Sequence, residues 1–503
     1  MKSNYKIQVN IEIVECNDET QLKPHQQKEG NFEFVISEEQ GCNIDKCEQA
    51  LLQANYPALR EALSVHLTQV SKKKACQIGS QQDCHVNEVP YRVDGEIGCF
   101  TFDTHRIQSS GKPIFNTSKE VFPVLKGKEL YRTQGFKEIA IVHGGLEQSY
   151  RDTHKLINRV RYQPDATKLR TLSDSTENEG QQLQVHIEQQ VTKILTENDF
   201  CPIEGTPPFD LNDSYQKQET VTMPKNSVKE ALDSCFQQEP KLKSAIESNP
   251  VPYEEPIKTA SVSIDDVGVK KQKEHRVPVD KKKQKYVHNT VVHIEHKQGS
   301  YVLNGHGVNN VLRLSLAFLL NNDLLKNNLV FFVDGQKILQ EAIIKSFSWF
   351  SPVQIILDWY HLKKKCDLQF SLGLTGYKLT ASIRSEVKHL LWYGATNKAI
   401  DYLRKIDTIY IKNQEAIDKL INYLERSKPY IPCYAARKQL GLRNSSNIGE
   451  KANDLLVADR QKHNGMSWSK LGSVALASLT ALVKNGEYKK WFETKTIKFE
   501  FAS

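Results

Sequence analysis

The stretch "LVFFVDGQKILQEAI" (329–343) runs five apolar residues into an aspartate and a glycine, then into a helical pattern. Unbroken apolar residues fit a strand buried on both faces, which demands a sheet with helices packed on each side. Such a strand delivers its last residue to the C-terminal edge of the sheet, so Asp334 is expected there. Asp-Gly also serves as an ordinary turn after a strand. What the aspartate means therefore depends on which other carboxylates reach the same edge.

The segments around it suggest one α/β unit over residues 259–362. Its strands are "TASVSID" (259–265), "YVHNTVVHIEH" (286–296), "SYVLNG" (300–305), "LVFFVD" (329–334) and "VQIILDWY" (353–360), with helical segments at 308–320 and 336–347. Three strands joined by short loops, then two buried strands alternating with helices, follow the order of a ribonuclease-H-like mixed sheet. A doubly wound nucleotide-binding sheet is the rival, but the chain has neither a Gly-x-Gly-x-x-Gly nor a Walker sequence. Residues 363–435 read as a helical insertion, and 436–503 as the C-terminal part of the core.

Ahead of this unit, residues 1–125 read as short strands and polar loops, and 126–258 as a helical region and linker. "GKELYRTQGFKEIAIVHGG" and "LEQSYRDTHKLINRVRYQ" are two helical patterns broken at Gly144 and Gly145. The second carries Arg151, His154, Lys155, Arg159 and Arg161, which suits a helix-turn-helix that grips DNA, or a plain helix pair.

Charge points the same way. The net +8 comes from 68 basic and 60 acidic residues, a mild excess, but "KKQKEHRVPVDKKKQK" (270–285) concentrates it into a run that fits a phosphate backbone or a solvated loop. The apolar segments are too short to span a bilayer, and the N-terminus lacks the apolar core of a signal peptide. A cytoplasmic protein is expected, with no membrane partner. Ten cysteines without a Cys-x2-Cys knuckle describe free thiols better than a disulfide scaffold or a zinc site.

The first strand ends on Asp265 and Asp266, the fourth on Asp334, and the fifth carries Asp358 and His361. In a ribonuclease-H-like sheet the first and fourth strands are neighbours. Two carboxylates meeting there repel each other unless a divalent cation bridges them, and cations so held serve phosphoryl transfer. Glu450, at the head of the amphipathic "GEKANDLLVADRQKH", is a further carboxylate, although an acid in a first helical turn also stabilises the helix end.

Taken together, "VSIDD", "VFFVDGQ", "IILDWYHLKKKC" and "LRNSSNIGEKANDLLVADRQKHNGMSW" resemble the DDE-type transposases of bacterial insertion sequences, over roughly residues 125–495. The likeness is strongest to the group with an Asp-Trp/Phe-Tyr-His signature. It implies a ribonuclease-H-like nuclease and strand transferase that binds the terminal inverted repeats of its element and cuts with Mg2+ or Mn2+. It places the metal-binding catalytic acids at Asp265, Asp334 and Glu450. Asp266 stands beside the first as an alternative, and Asp358 competes with Asp334. His361 is placed to touch the scissile phosphate or a catalytic carboxylate, or else simply to pack. Lys363, Lys364, Lys365, Arg460 and Lys462 are expected along a DNA groove. The partners implied are double-stranded DNA, both element ends and target, and a second copy of the chain. A structure-specific nuclease and an inactive transposase-derived DNA-binding protein are the alternatives.

Overall fold

The computed structural model describes residues 4–9, 11, 15–17, 21–23, 32–37, 44–79, 84–125, 130–164, 166–208, 219–272, 286–351, 353–446, 451–462 and 466–502. The chain divides into two compact units, Met1–Thr176 and Glu177–Ser503. Among the described residues no helix is long and apolar enough to cross a membrane.

The first unit opens with short antiparallel ladders, β1 (Asn4–Val9) with β4 (Phe32–Ser37) and β2 (Glu15–Asn17) with β3 (Gln21–Lys23). A 36-residue helix, Ile44–Gly79, then corrects the expectation of strands and loops across 1–125. Its buried positions are Ala50, Ala54, Ala58, Ser71 and Ala75. A seam of small residues gives no large apolar stripe to read, although alanine is the strongest helix former. The helix lies against a four-stranded sheet in the order β7-β6-β5-β8, made of β5 (His85–Gly95), β6 (Gly98–Ser109), β7 (Lys112–Asn116) and β8 (Leu130–Arg132). Leu63 and Leu67 of the helix pack on Tyr91, Val93, Phe100 and Phe102 of that sheet.

The unit continues with a helix at Gln134–Ala140, a π-helical turn at Ile141–Gly145 and a helix at Tyr150–Val160. A Cβ on Gly144 would collide with the Thr153 side chain, so the glycine lets the turn pack closely on the second helix.

The second unit is built on a five-stranded mixed sheet. Its strands are β9 (Thr259–Lys270), β10 (Tyr286–His296), β11 (Gly299–Gly305), β12 (Asn328–Val333) and β13 (Val353–Leu357), in the order β11-β10-β9-β12-β13. β10 is antiparallel to both neighbours, whereas β12 is parallel to β9 and to β13. β12 is buried along its whole length, as its unbroken apolar run requires. Phe331 on one face packs on Phe347, with ring centroids 5.2 Å apart. Val330 and Phe332, pointing the other way, form a cluster with Val251 and Ile356.

Helices Trp359–Gly373, Tyr377–Trp392, Thr396–Arg404 and Gln414–Ser427 follow β13. They share a core with Cys235, Leu242 and Ile246, so the helices before the sheet belong to this layer too. Arg437 locks it to the segment entering β9 through a buried two-pronged pair with Glu254, at 2.6 and 2.7 Å.

Candidate functional site

β9 and β12 run parallel, and their ladder reaches Phe332 paired with Ser263. Two residues further along each strand stand Asp334 and Asp265, level with each other at the C-terminal edge of β12. The ladder of β12 with β13 ends on Val333 and Leu357, so Asp358 is the next residue level with Asp334. Three carboxylates thus reach one edge of the sheet, and each is held differently.

Asp265 is partly buried. Its Oδ1 accepts the Asp266 N–H at 2.8 Å, and its Oδ2 accepts the side-chain amide of Asn453. Burial pushes its carboxyl above the ordinary carboxylate range and the charge of Asp334 adds to the rise, while the Asp266 N–H, His361 and Asn453 oppose it. The chain therefore brings Asp334 and His361 within electrostatic reach of Asp265. Asp266, next along the strand, points to the opposite face. Its Oδ1 accepts the Thr290 hydroxyl at 3.0 Å, and its Oδ2 lies 3.1 Å from His288 Nδ1.

Asp334 is held by its own turn. Its oxygens accept the backbone N–H and side-chain amide of Gln336, at 2.9 and 2.8 Å. Gly335 has φ +85, and a Cβ there would strike the Tyr423 hydroxyl and Leu357. Only glycine fits this turn without strain. The helical layer clamps it: Tyr423 donates to the Asp334 carbonyl at 3.4 Å and Arg426 to the Gly335 carbonyl at 2.8 Å.

Asp358 is fully buried and caps the Trp359–Gly373 helix, accepting the His361 N–H at 3.0 Å. Its other oxygen accepts the Ser446 N–H, and the Ser446 hydroxyl at 2.6 Å. This carboxylate is committed to joining two parts of the chain. The bond matters to the site because Ser446 lies just ahead of Glu450. Asn444 is tied to the same place, its carbonyl accepting the Trp359 N–H at 3.0 Å.

Glu450 itself lies outside the described residues, as does most of the basic run at 270–285. The chain is described again at Lys451, and Asn453, 5% exposed, already touches Asp265. A π-helical turn at Asp454–Ala458 follows, a widening often found beside functional sites. Asn453 was not among the residues singled out from the sequence. The signal was present: it is a polar residue on the same helical face as Ala452, Leu456 and Val457, three positions after the glutamate.

His361 is half-buried and stands edge-on to the Tyr360 ring, with centroids 5.6 Å apart. Lys363 and Lys364 are exposed, while Lys365 is partly covered and lies 5.7 Å from the Tyr423 ring. Lys462 is exposed. Arg460 is not available to a groove: it is buried, lies 5.3 Å from the Trp468 ring and donates to Met466 Sδ. Its predicted contact with phosphate is corrected accordingly.

In the first unit, Arg151, Lys155 and Arg159 are exposed at four-residue steps along the Tyr150–Val160 helix, and His154 is half-buried. Arg161, grouped with them in the sequence, is buried. It pairs with Asp94, donates to Thr167 at 2.8 Å and lies over the Phe136 ring at 4.7 Å. It belongs to the packing and not to the exposed basic face.

Among the described residues no group of three or more His, Cys, Asp or Glu is disposed to hold a metal ion. Asp265 and Asp334 are two such residues. Among the described residues no Lys or Arg forms an ion pair with either.

No family model matches this chain, and no curated protein matches it. Among solved structures, a Drosophila P element transposase strand transfer complex matches at 14% sequence identity. That match covers 62% of this chain and 88% of the other, with a TM-score of 0.17. A likeness at that TM-score carries no argument about fold or function.

Proposed function

We propose that the second unit is the ribonuclease-H-like core of a DDE-type transposase, which cuts the ends of its DNA element and joins them to a target. One observation carries the proposal. Asp265, within β9, and Asp334, just after β12, stand level on neighbouring parallel strands of a sheet ordered 3-2-1-4-5, and both flanks of the Glu450 segment are bonded beside them. The motif resemblance supplies the reaction class, and the geometry supports it.

The donor set suits a hard divalent cation. Asp265 is a partly buried carboxylate whose charged form is disfavoured by burial and by a second carboxylate, and no Lys or Arg pairs with it among the described residues. Asp265, Asp334 and Glu450 would hold Mg2+ or Mn2+ through carboxylate oxygens. A divalent cation bound there supplies positive charge to the scissile phosphate and sharpens a water or 3′-hydroxyl.

The remaining work falls to the chain's own groups. The Asp266 N–H and the Asn453 amide orient Asp265. The Gln336 amides, Tyr423 and Arg426 keep the Asp334 turn in place. His361 lies within electrostatic reach of Asp265. Lys363, Lys364 and Lys462 meet phosphates beside it, and Arg151, Lys155 and Arg159 in the first unit grip DNA. Holding two DNA ends calls for at least two copies of the chain.

The test is incubation of the purified protein with the DNA flanking its own gene, with and without Mg2+ or Mn2+. Cleavage is mapped at nucleotide resolution. Metal-dependent nicks at matching inverted repeats, followed by joined products, are expected. Cleavage at branched structures regardless of sequence would identify a structure-specific nuclease instead. Binding without cleavage in either metal would identify an inactive descendant.

A further inference from the structure

We infer that Asn453 is a positioning residue for Asp265, its side-chain amide holding the carboxylate in the orientation that shares a divalent cation with Asp334. The inference rests on the functional reading above and adds a residue to it.

Asp265 receives one donor on each oxygen, the Asp266 N–H on Oδ1 and the Asn453 amide on Oδ2. A carboxylate gripped at both oxygens cannot turn about its own axis without losing a bond, while each oxygen keeps a lone pair for a cation. The Asp266 N–H is backbone, so Asn453 is the only part of this grip that a side-chain change removes.

Burying an amide at this point is costly. Asn453 Oδ1 is buried and has no hydrogen-bond partner among the described residues, an unsatisfied acceptor that an apolar residue of similar shape would avoid. Its neighbours on that face, Ala452, Leu456 and Val457, show what packing alone selects there. Among the described residues, the bond that the amide makes is to Asp265.

The choice of group is also specific. A lysine or arginine would satisfy Asp265 but would place a fixed positive charge where a divalent cation must come. An amide donates without charge, so it orients the carboxylate and leaves the electrostatic vacancy intact. Carboxylate ligands held by such outer partners bind metal more tightly, and losing the partner costs about 10- to 100-fold in affinity. Asn453 also stands three residues after Glu450 in the sequence. Its bond ties the orientation of Asp265 to the segment that is described from Lys451 onward.

The experiment measures Mn2+ binding to the full-length protein by the loss of the free-ion electron paramagnetic resonance signal. Wild type is compared with Asp265→Asn, Asp334→Asn, Asn453→Ala and Asn453→Leu, and the metal-free melting temperature of each is recorded. Asp265→Asn and Asp334→Asn are expected to lose the site. Asn453→Ala should bind Mn2+ about 10-fold or more weakly. Asn453→Leu, which refills the space without a donor, should recover the melting temperature and not the affinity.

Affinity within about twofold of wild type in Asn453→Ala or Asn453→Leu, with both aspartate variants defective, would overturn the role of Asn453 and leave the metal site standing. Unchanged binding in the two aspartate variants would instead overturn the metal-site reading itself. If neither Asn453 variant melts cooperatively, wild-type protein labelled with 15N-asparagine decides. The Asn453 side-chain resonance, identified by its shift in Asp265→Asn, should move on addition of Mg2+. A resonance unmoved at saturating Mg2+ would rule the inference out.

Discussion

Asp334 follows β12 and Asp358 follows β13, two parallel strands of one sheet, and the residue after each aspartate separates their surroundings. After Asp334 comes a glycine in the left-handed region, so the chain turns before its next helix begins, and among the described residues the carboxylate is held by Gln336 alone. After Asp358 the helix starts at once. The carboxylate folds back as its cap, and its second oxygen is taken by Ser446. A strand-end acid is thus available for chemistry when the chain delays its helix, and is consumed when it does not.

The largest expected effect lies on the open side of this contrast. Asp265→Ala, Asp334→Ala and Glu450→Gln should each reduce cleavage of the native end sequence by more than about 100-fold, beyond the cost of losing an outer partner of a metal ligand. DNA binding should stay near normal in a gel-shift titration. Asp266→Ala, on the opposite face beside His288 and Thr290, should be mild. Near-wild-type cleavage by the glutamine variant in both Mg2+ and Mn2+ would remove Glu450 from the site.

Asp358→Ala tests the closed side. Loss of the cap and of two bonds to Ser446 should cost about 3 kcal/mol of stability, read from urea unfolding. Any loss of cleavage should follow the folded fraction. A stable but inactive Asp358→Ala would reverse the comparison and put that carboxylate in the chemistry.

The same division between open and closed runs along the Tyr150–Val160 helix. Replacing Arg151, Lys155 and Arg159 with alanine should weaken DNA binding and lower its salt dependence by about one unit of slope per lost phosphate contact. The far-UV helical signal should be retained. Arg161→Ala should instead lower stability, because it leaves Asp94 buried without its cation. Unchanged DNA binding in the triple variant would return this helix to a purely structural role.

The smallest effect concerns a buried group away from the edge. His293 in β10 is buried, and burial lowers its pKa from the ordinary value of 6.5. Between the two values the unfolded chain binds more protons than the folded one, so stability rises with pH across that window and is lost as pH falls through it. Urea unfolding at pH 7 and pH 5 should show lower stability at the lower pH from this group. His293→Gln should flatten that part of the profile.

Much of the second unit was legible before any coordinates. Five strands form in the expected order, but β9 continues past the expected end at 265 to Lys270 because it pairs with β10 along that length, and β13 stops at Leu357, short of the expected 360, because Asp358 caps a helix there. Asp334 was legible as an acid just after its strand, whereas Asp265, expected at a strand end, lies within β9. The Ile44–Gly79 helix was not, since its buried seam is alanine and serine and leaves no stripe of large residues to follow. Arg161 and Arg460 were grouped with exposed bases because charge alone does not say which arginine has an acid or an indole waiting in the fold.

What the sequence by itself determined is local: which apolar runs form the strands, in what order, and which carboxylates lie in or just after them. Which of these carboxylates meet was decided only by tertiary structure. Parallel pairing of β9 with β12 brings Asp265 level with Asp334 across a long separation in the chain. Tyr423, Arg426 and Ser446 reach that edge from helices and loops whose own sequences carry no mark of it. A hydrogen bond between distant residues depends on the path of the whole backbone, and local propensity has no access to that path.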